Sequence, residues 1–344
     1  MAAYLGGARD FFFDGVAAFR HYVLRILSYP LNPHERIFAL YLATSLLMAV
    51  AAHRSLVRRA ARSGRPAVAL GEFLFPREVW RTRSAWLDVR YFFFHQVFRI
   101  FLYGGFTAFV TGGSFRAIEK IFGGSLSAAR VPSLDVAWPV LLGFSLFAAL
   151  AYDFTAWVIH YCQHKFPPLW EFHKVHHSAR VMHPLTNYRE HPVDNIAYAL
   201  GMGLCTAATT AVASVLLGYV PNQPAVMGIG IFVFAYNALG YNLRHSHIWV
   251  KWPGPLNRVF GSPAHHQVHH SYHPAHVNKN FAFMFPVWDV LFGTYEMPAT
   301  NADVAFGLAE REEYEFTSCL DLYFTPFRRV FRREGGERSG APLI

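Results

Sequence analysis

The sequence predicts an all-α integral membrane protein with about four to five transmembrane helices of ~20 residues each. Three observations lead there. The 344 residues are 53% hydrophobic and 17% aromatic, with a mean hydropathy of +0.20. Only 15% are charged, well below the roughly 25% of ordinary soluble domains. The apolar residues gather into runs that approach the length of a bilayer span, and the basic excess, a net charge of +9, is mostly arginine set between those runs. A basic chain can also bind nucleic acid, but zinc-finger spacing and RNA-binding aromatic signatures are missing, so the bilayer is the better reading and no nucleic-acid partner is expected. The three cysteines, Cys162, Cys205 and Cys319, are too scattered for a disulfide framework or a C-x-x-C pair.

The opening "MAAYLGGARDFFFDG" carries Arg9, Asp10 and Asp14 and so lacks the clean apolar core of a cleavable signal peptide. It reads equally as an interfacial or a packing helix, as does 71–89. "IFALYLATSLLMAVAA" (37–52) is the first expected span. Nine arginines follow between Arg54 and Arg90, and the positive-inside rule places them in the cytoplasm. A second span is expected at 91–113, although it holds His95 and Arg99, and a third at 136–159, with the acidic Asp153. The runs 196–220 and 225–243, separated by "PNQP", read as a tight transmembrane hairpin in which Gly201, Gly203, Ala207 and Ala208 allow close helix packing. Alternating these spans puts 114–135 outside and returns the chain to the cytoplasm near His160 and again for 244–344. The tail "RRVFRREGGERSGAPLI" is charged and glycine-rich and is expected to be disordered. The chain thus divides into N-terminal membrane or interfacial helices (1–135), a catalytic domain including the hairpin 196–243 (136–297), and a cytosolic tail (298–344).

Fifteen of the nineteen histidines lie between His160 and His276. His160 and His164 are spaced i,i+4. His173, His176 and His177 are spaced i,i+3,i+4, and His266, His269 and His270 repeat that spacing. Residues three and four apart share a helix face, so each group presents its imidazoles together. Proline in "KFPPLW" suits the start of the second helix, and Ser262 followed by Pro263 suits the cap and first turn of the third. Neutral imidazole is the commonest metal ligand among side chains. Eight imidazoles exceed the roughly four ligands of one zinc, which implies two metals, or one with spare partners. Histidine accepts iron, copper, nickel or zinc alike. His21, His34, His53 and His95 stand alone and are read as ordinary histidines.

In order along the chain, "DFTAWVIHYCQH", "LWEFHKVHHS", "YREHPVDN", "RHSHI", "SPAHHQVHHS" and "NKNFAFMFPVWDVLFGTYEMP" resemble the successive boxes of the fatty acid hydroxylase and sterol desaturase superfamily, over about 150–297. The resemblance implies a helical cytosolic cap carrying a histidine-ligated di-iron centre that uses O2 and external electrons to hydroxylate or desaturate lipid C–H bonds. Box by box, it implies His160, His164, His173, His176, His177, His266, His269 and His270 as ligands and adds His191 and His245. His265 falls at a variable position and is left out. Two departures stand out: Tyr161 follows His160 where arginine is usual, and the "HSN" box reads His245-Ser246-His247, which leaves His245 and His247 as rivals, with His245 preferred. Asp289 and Asn280 match as supporting residues.

Cleaving an unactivated C–H bond needs an oxidant that side chains cannot supply, so metal and O2 must. Asp153, about two turns before His160, is the candidate catalytic acid beside the histidines, orienting a ligand imidazole; a helix-packing acid is the alternative. No flavin or nicotinamide turn, haem attachment site or iron–sulfur cysteine run is present, so electrons are expected from a separate carrier of cytochrome or ferredoxin type. The expected activity is lipid hydroxylation on a fatty acyl, sterol, alkylglycerol or related lipid, with desaturation on the same scaffold as the alternative. A membrane metal transporter predicts ligands within the spans, and a zinc hydrolase needs fewer ligands and a catalytic acid; both fit less well. Zinc in place of iron in a purified sample is compatible with the same nitrogens.

Overall fold

The computed structural model describes residues 15–99, 104–121, 130–131, 135–308 and 315–332. The opening fifteen-residue segment, apart from Gly15, and the tail beyond Arg332 lie outside the described residues. The helices of ten residues or more are, in chain order, α1 (Gly15–Leu27), α2 (Ala39–Arg62), α3 (Arg83–Phe98), α4 (Gly104–Ile121), α5 (Trp138–Lys165), α6 (Pro167–His177), α7 (Pro192–Leu217) and α8 (Cys319–Arg332). Among the described residues strands are confined to two-residue pairs, 130–131 parallel to 220–221 and 225–226 antiparallel to 229–230.

Among the described residues three helices, α2, α5 and α7, are long and apolar enough to cross a membrane. This is fewer than the sequence suggests, for two local reasons. The predicted span 91–113 falls on the ends of α3 and α4, with residues 100–103 outside the described set. The predicted second limb of the hairpin, 225–243, is broken by turn chemistry. Met227 and Gly228 both take positive φ, 54° and 81°, and fold 225–230 into a small β-hairpin, as such left-handed pairs do. The helix that follows, Ile231–Ala238, is eight residues long. It stops before Gly240, whose φ of 85° is left-handed and whose absent Cβ would sit 2.9 Å from Met48 Cε. The run is therefore apolar without being a helix of spanning length. The C-terminal segment departs from expectation in the other direction: Arg328–Arg332, within the tail expected to be disordered, completes α8.

The chain forms two compact units. In the first (1–35, 96–159, 192–236), α4 packs along α7. Gly203 makes this possible, since a Cβ there would lie 3.0 Å from Thr111 Cα. Ala207 is fully buried, and Thr111 Oγ1 donates to the Ala199 carbonyl at 3.2 Å. Ala208, expected at the same contact, is exposed instead. The second unit (36–95, 160–191, 237–344) contains α2, most of α3, α6, α8 and the C-terminal end of α5, together with the short helix Pro263–His269. There α8 lies against α6, with Phe327 packed edge-on to Phe172 at 5.1 Å between centroids.

Candidate metal centre

The second unit gathers nine histidines into two groups. His160, His164, His173, His177 and His269 form one, and His176, His245, His266 and His270 the other, each with its candidate ligand atoms within 4.8 Å of one another. Local sequence accounts for the placement. His160 and His164 lie one turn apart at the end of α5. Pro167 and Pro168 start α6, which carries His173, His176 and His177. Ser262 caps the helix Pro263–His269 by accepting from the His265 amide, with Pro263 in the first turn, as its sequence predicts. Gly261 lets this helix approach the 281–285 segment: a Cβ there would lie 2.6 Å from the Phe283 carbonyl oxygen. The i,i+3,i+4 pattern then sends neighbouring rings to different groups, His176 to one and His177 to the other, so α6 and the Pro263–His269 segment serve both. The His177 and His270 rings stack at 4.5 Å where the groups adjoin.

The contacts within the second group are incompatible with ordinary hydrogen bonding alone. The Nε2 atoms of His245, His266 and His270 are 3.1, 3.2 and 2.9 Å apart pairwise, and His176 Nε2 is 3.3 Å from that of His245. Each ring nitrogen has one in-plane hydrogen or one lone pair, so three that meet at a point cannot all satisfy one another. A central cation resolves this. Nitrogens about 2.0–2.1 Å from a metal lie roughly 2.9 Å apart at right angles and roughly 3.4 Å apart at the tetrahedral angle, which brackets the observed separations. In the first group His269 Nε2 approaches His177 Nε2 at 3.1 Å, and the buried Nε2 of His164 has no hydrogen-bond partner. The residues present fit two metal ions.

Burial keeps His177, His245, His266, His269 and His270 neutral. It is the main cause pushing His269 down to about 3 and His177, His245, His266 and His270 well below the usual histidine value. Backbone carbonyls occupy the opposite nitrogens: His160 Nδ1 bonds Phe281 O at 2.8 Å, His176 Nδ1 bonds Arg189 O at 3.1 Å and His269 Nδ1 bonds Lys279 O at 2.9 Å. A proton on Nδ1 leaves the Nε2 lone pair facing the group, the usual arrangement of ligating histidines. His266 differs, because its Nδ1 faces a donor, Arg244 Nη2, at 2.9 Å. Its neutral form therefore carries the proton on Nε2, and that proton must leave when a metal binds there.

Nine of the ten histidines proposed as ligands fall in the two groups. His191 does not. Its Nε2 bonds the Tyr323 carbonyl at 3.1 Å, and its ring packs between Phe172 and Phe327. Its neighbour Arg189 reaches the centre instead, through its carbonyl. Of the rivals, His245 joins the second group, whereas His247 Nε2 bonds the Phe73 carbonyl at 2.7 Å. His265 lies outside both groups, 3.2 Å from Asp289. Asp289 also accepts from the amides of Phe281 and Ala282, each at 2.9 Å, and from Thr294 Oγ1 at 2.6 Å. Asn280, left-handed at φ 58°, bonds the His265 and Glu296 carbonyls. Asp153 is buried on α5, seven residues before His160, and belongs to neither group. Sequence reading missed Arg244, Arg189 and Asp88; the first two lie within the boxes "RHSHI" and "YREHPVDN" but were given no role, and Asp88 lies outside every box.

Residues 145–294 match the fatty acid hydroxylase family. Curated relatives bear this out. The chain is 28% identical over 166 residues to alkylglycerol monooxygenase of Homo sapiens, covering 47% of this chain and 32% of that protein. It is 26% identical over 197 residues to ornithine lipid hydroxylase OlsE of Rhizobium tropici, covering 57% and 54%. To cholesterol 25-hydroxylase of Homo sapiens it is 30% identical over 182 residues, covering 51% and 60%. The match to the fatty acid hydroxylase family covers a little under half of the chain. The chain spans about a third to three fifths of the length of these relatives. No solved structure matches it. Both histidine groups lie inside the matched residues.

Proposed function

We propose that the protein is a membrane-bound, O2-dependent, non-haem di-iron oxidoreductase that hydroxylates an unactivated C–H bond of a lipid. The observation that carries this is the pair of adjoining all-histidine groups, which have no carboxylate among their ligand atoms. Bound iron would supply the oxidising power that side chains lack. The first metal would be held by His160, His164, His173, His177 and His269, and the second by His176, His245, His266 and His270. The protein's own contribution is to keep His177, His245, His266, His269 and His270 neutral, to aim rings of both groups through the Phe281, Arg189 and Lys279 carbonyls, and to shield them. Phe281 and Phe283 lie 5.6 and 5.3 Å from the His160 ring, and Trp170 lies 4.8 Å from that of His164. Such apolar walls exclude water from a reactive centre.

The relatives carry names that specify an alkylglycerol, an ornithine lipid and cholesterol. Their common denominator is an amphipathic lipid, and each name denotes oxygen insertion, which favours hydroxylation over desaturation here. In this reading 136–297 is the catalytic domain, Asp153 is the acid behind the α5 ligands, and a separate cytochrome or ferredoxin delivers electrons. The histidine centre faces the cytoplasm, with the arginines of 54–90. The decisive experiment is lipidomics under 18O2 on cells with and without the gene. One lipid class should gain a single labelled oxygen. Loss of two hydrogens without label would instead identify a desaturase, and an unchanged lipid profile would refute both. For the topology, a cysteine replacing the exposed Ser63 should resist an impermeant thiol reagent until cells are lysed; labelling in intact cells would reverse the orientation.

A further inference from the structure

The Nδ1 of His176 bonds the Arg189 carbonyl. The carboxylate at the root of its support, Asp88, is outside the family-matched residues. The Arg189 side chain is buried, and its Nε donates to Asp88 Oδ1 at 2.5 Å. Its Nη1 donates to Ser178 Oγ at 3.0 Å, at the residue that ends α6, two positions beyond His176. The other oxygen of Asp88 accepts from Thr186 Oγ1 at 2.6 Å, and Thr186 Oγ1 in turn accepts from the His183 amide at 3.2 Å. One buried carboxylate on α3 thus ties down both ends of the 183–189 segment, and Arg189 ties that segment to the end of the ligand helix. Asp88 stays ionised although burial opposes this, because Arg189, His183 and Thr186 together hold its carboxyl below the usual range.

From this geometry we infer that Asp88 is a positioning residue for the second histidine group, acting through Arg189 on His176. The inference rests on the metal centre proposed above. If the Arg189 carbonyl shifts, the His176 ring loses the acceptor that sets its tautomer and is free to turn its Nε2 away. The first group shares α6 with this lock through His173 and His177, but two of its rings are aimed from elsewhere. His160 and His269 are aimed by the carbonyls of Phe281 and Lys279, on a segment that Asp289 and Asn280 hold instead. The signature of the lock is therefore selectivity between two sites that share one helix. A residue that only supports the fold would weaken both alike.

The test is a Co2+ titration of the full-length purified protein, read by visible absorption and by metal analysis. Wild type should bind two equivalents. Asp88→Asn should weaken one of them by about 10–100-fold, the usual cost of losing a partner behind a ligating histidine, and leave the other unchanged. His176→Ala should remove that same equivalent, and adding Asp88→Asn to it should change nothing further, as expected for residues acting in one chain of contacts. Should Asp88→Asn fail to fold because Arg189 is left with a buried charge, the neutral pair Asp88→Asn/Arg189→Gln should show the same selective loss. Equal weakening of both equivalents, weakening of neither, or additive loss on the His176→Ala background would overturn the positioning role. Wild-type protein that takes up no metal would overturn the metal centre itself, and the positioning role with it.

Discussion

Asp289→Asn should damage the first histidine group from a distance, and the structure allows its size to be worked out. The carboxylate accepts four contacts: the Phe281 amide and Thr294 hydroxyl on Oδ1, and the Ala282 amide and His265 Nε2 on Oδ2. An asparagine keeps one acceptor oxygen. Whichever way it turns, its NH2 faces one of the two backbone N–H groups. One buried donor left unpaired costs about 1–3 kcal/mol, and the surviving bonds lose their charge assistance, about 1 kcal/mol more. The total of roughly 2–4 kcal/mol is a large share of the 5–15 kcal/mol that stabilises a typical fold. The melting temperature of a 344-residue chain should fall by about 3–6 °C. The same amides place the Phe281 carbonyl on His160, and the adjoining Lys279 carbonyl holds His269. The metal equivalent of the first group should therefore weaken by about 10–100-fold, while that of the second is spared. Differential scanning fluorimetry and a metal titration on one preparation measure both. A variant that melts within about 2 °C of wild type and binds both equivalents normally would refute the reasoning.

His245→Ala should remove one metal equivalent and His247→Ala neither, since only His245 joins a group; metal analysis of the two variants decides it. His191→Gln should retain both equivalents and lower only the melting temperature, because its ring packs against Phe172 and Phe327 rather than facing the groups; loss of a metal would restore it as a ligand. Acid should destabilise the metal-free protein in a defined window. His269 is held near 3 and His177, His245, His266 and His270 well below their usual value, so the folded state binds fewer protons than the unfolded chain. Their stabilisation is complete above about pH 6.5 and declines as pH falls toward the folded values, by about 1.4 kcal/mol per pH unit for each histidine. Thermal melts that do not change between pH 7 and pH 4 would contradict this.

Much of the centre was legible in the chain because its logic is local. The i,i+3,i+4 spacing of His173, His176 and His177 and of His266, His269 and His270 follows from helical geometry alone, and Pro167, Ser262 and Pro263 mark where those helices begin. The spans α5 and α7 follow from runs of apolar residues with few charges. The misreadings share one cause, contacts between distant segments. Hydropathy sees 225–243 as one apolar run and is blind to the left-handed Met227–Gly228 pair and to Gly240, which faces Met48. A box position marks His191, but the packing of α8 against α6 gives that ring a carbonyl and two phenylalanines. His245 rather than His247 joins a group, in line with the sequence preference, and the reason is again tertiary: one meets His176 and the other Phe73. Most of all, the sequence determined which imidazoles share a helix face. Only the tertiary structure decided how they divide between two groups and what aims them, because aiming depends on the other ring nitrogen, and its partners, Arg189, Lys279 and Phe281, stand 10 to 121 residues away from the histidines they hold.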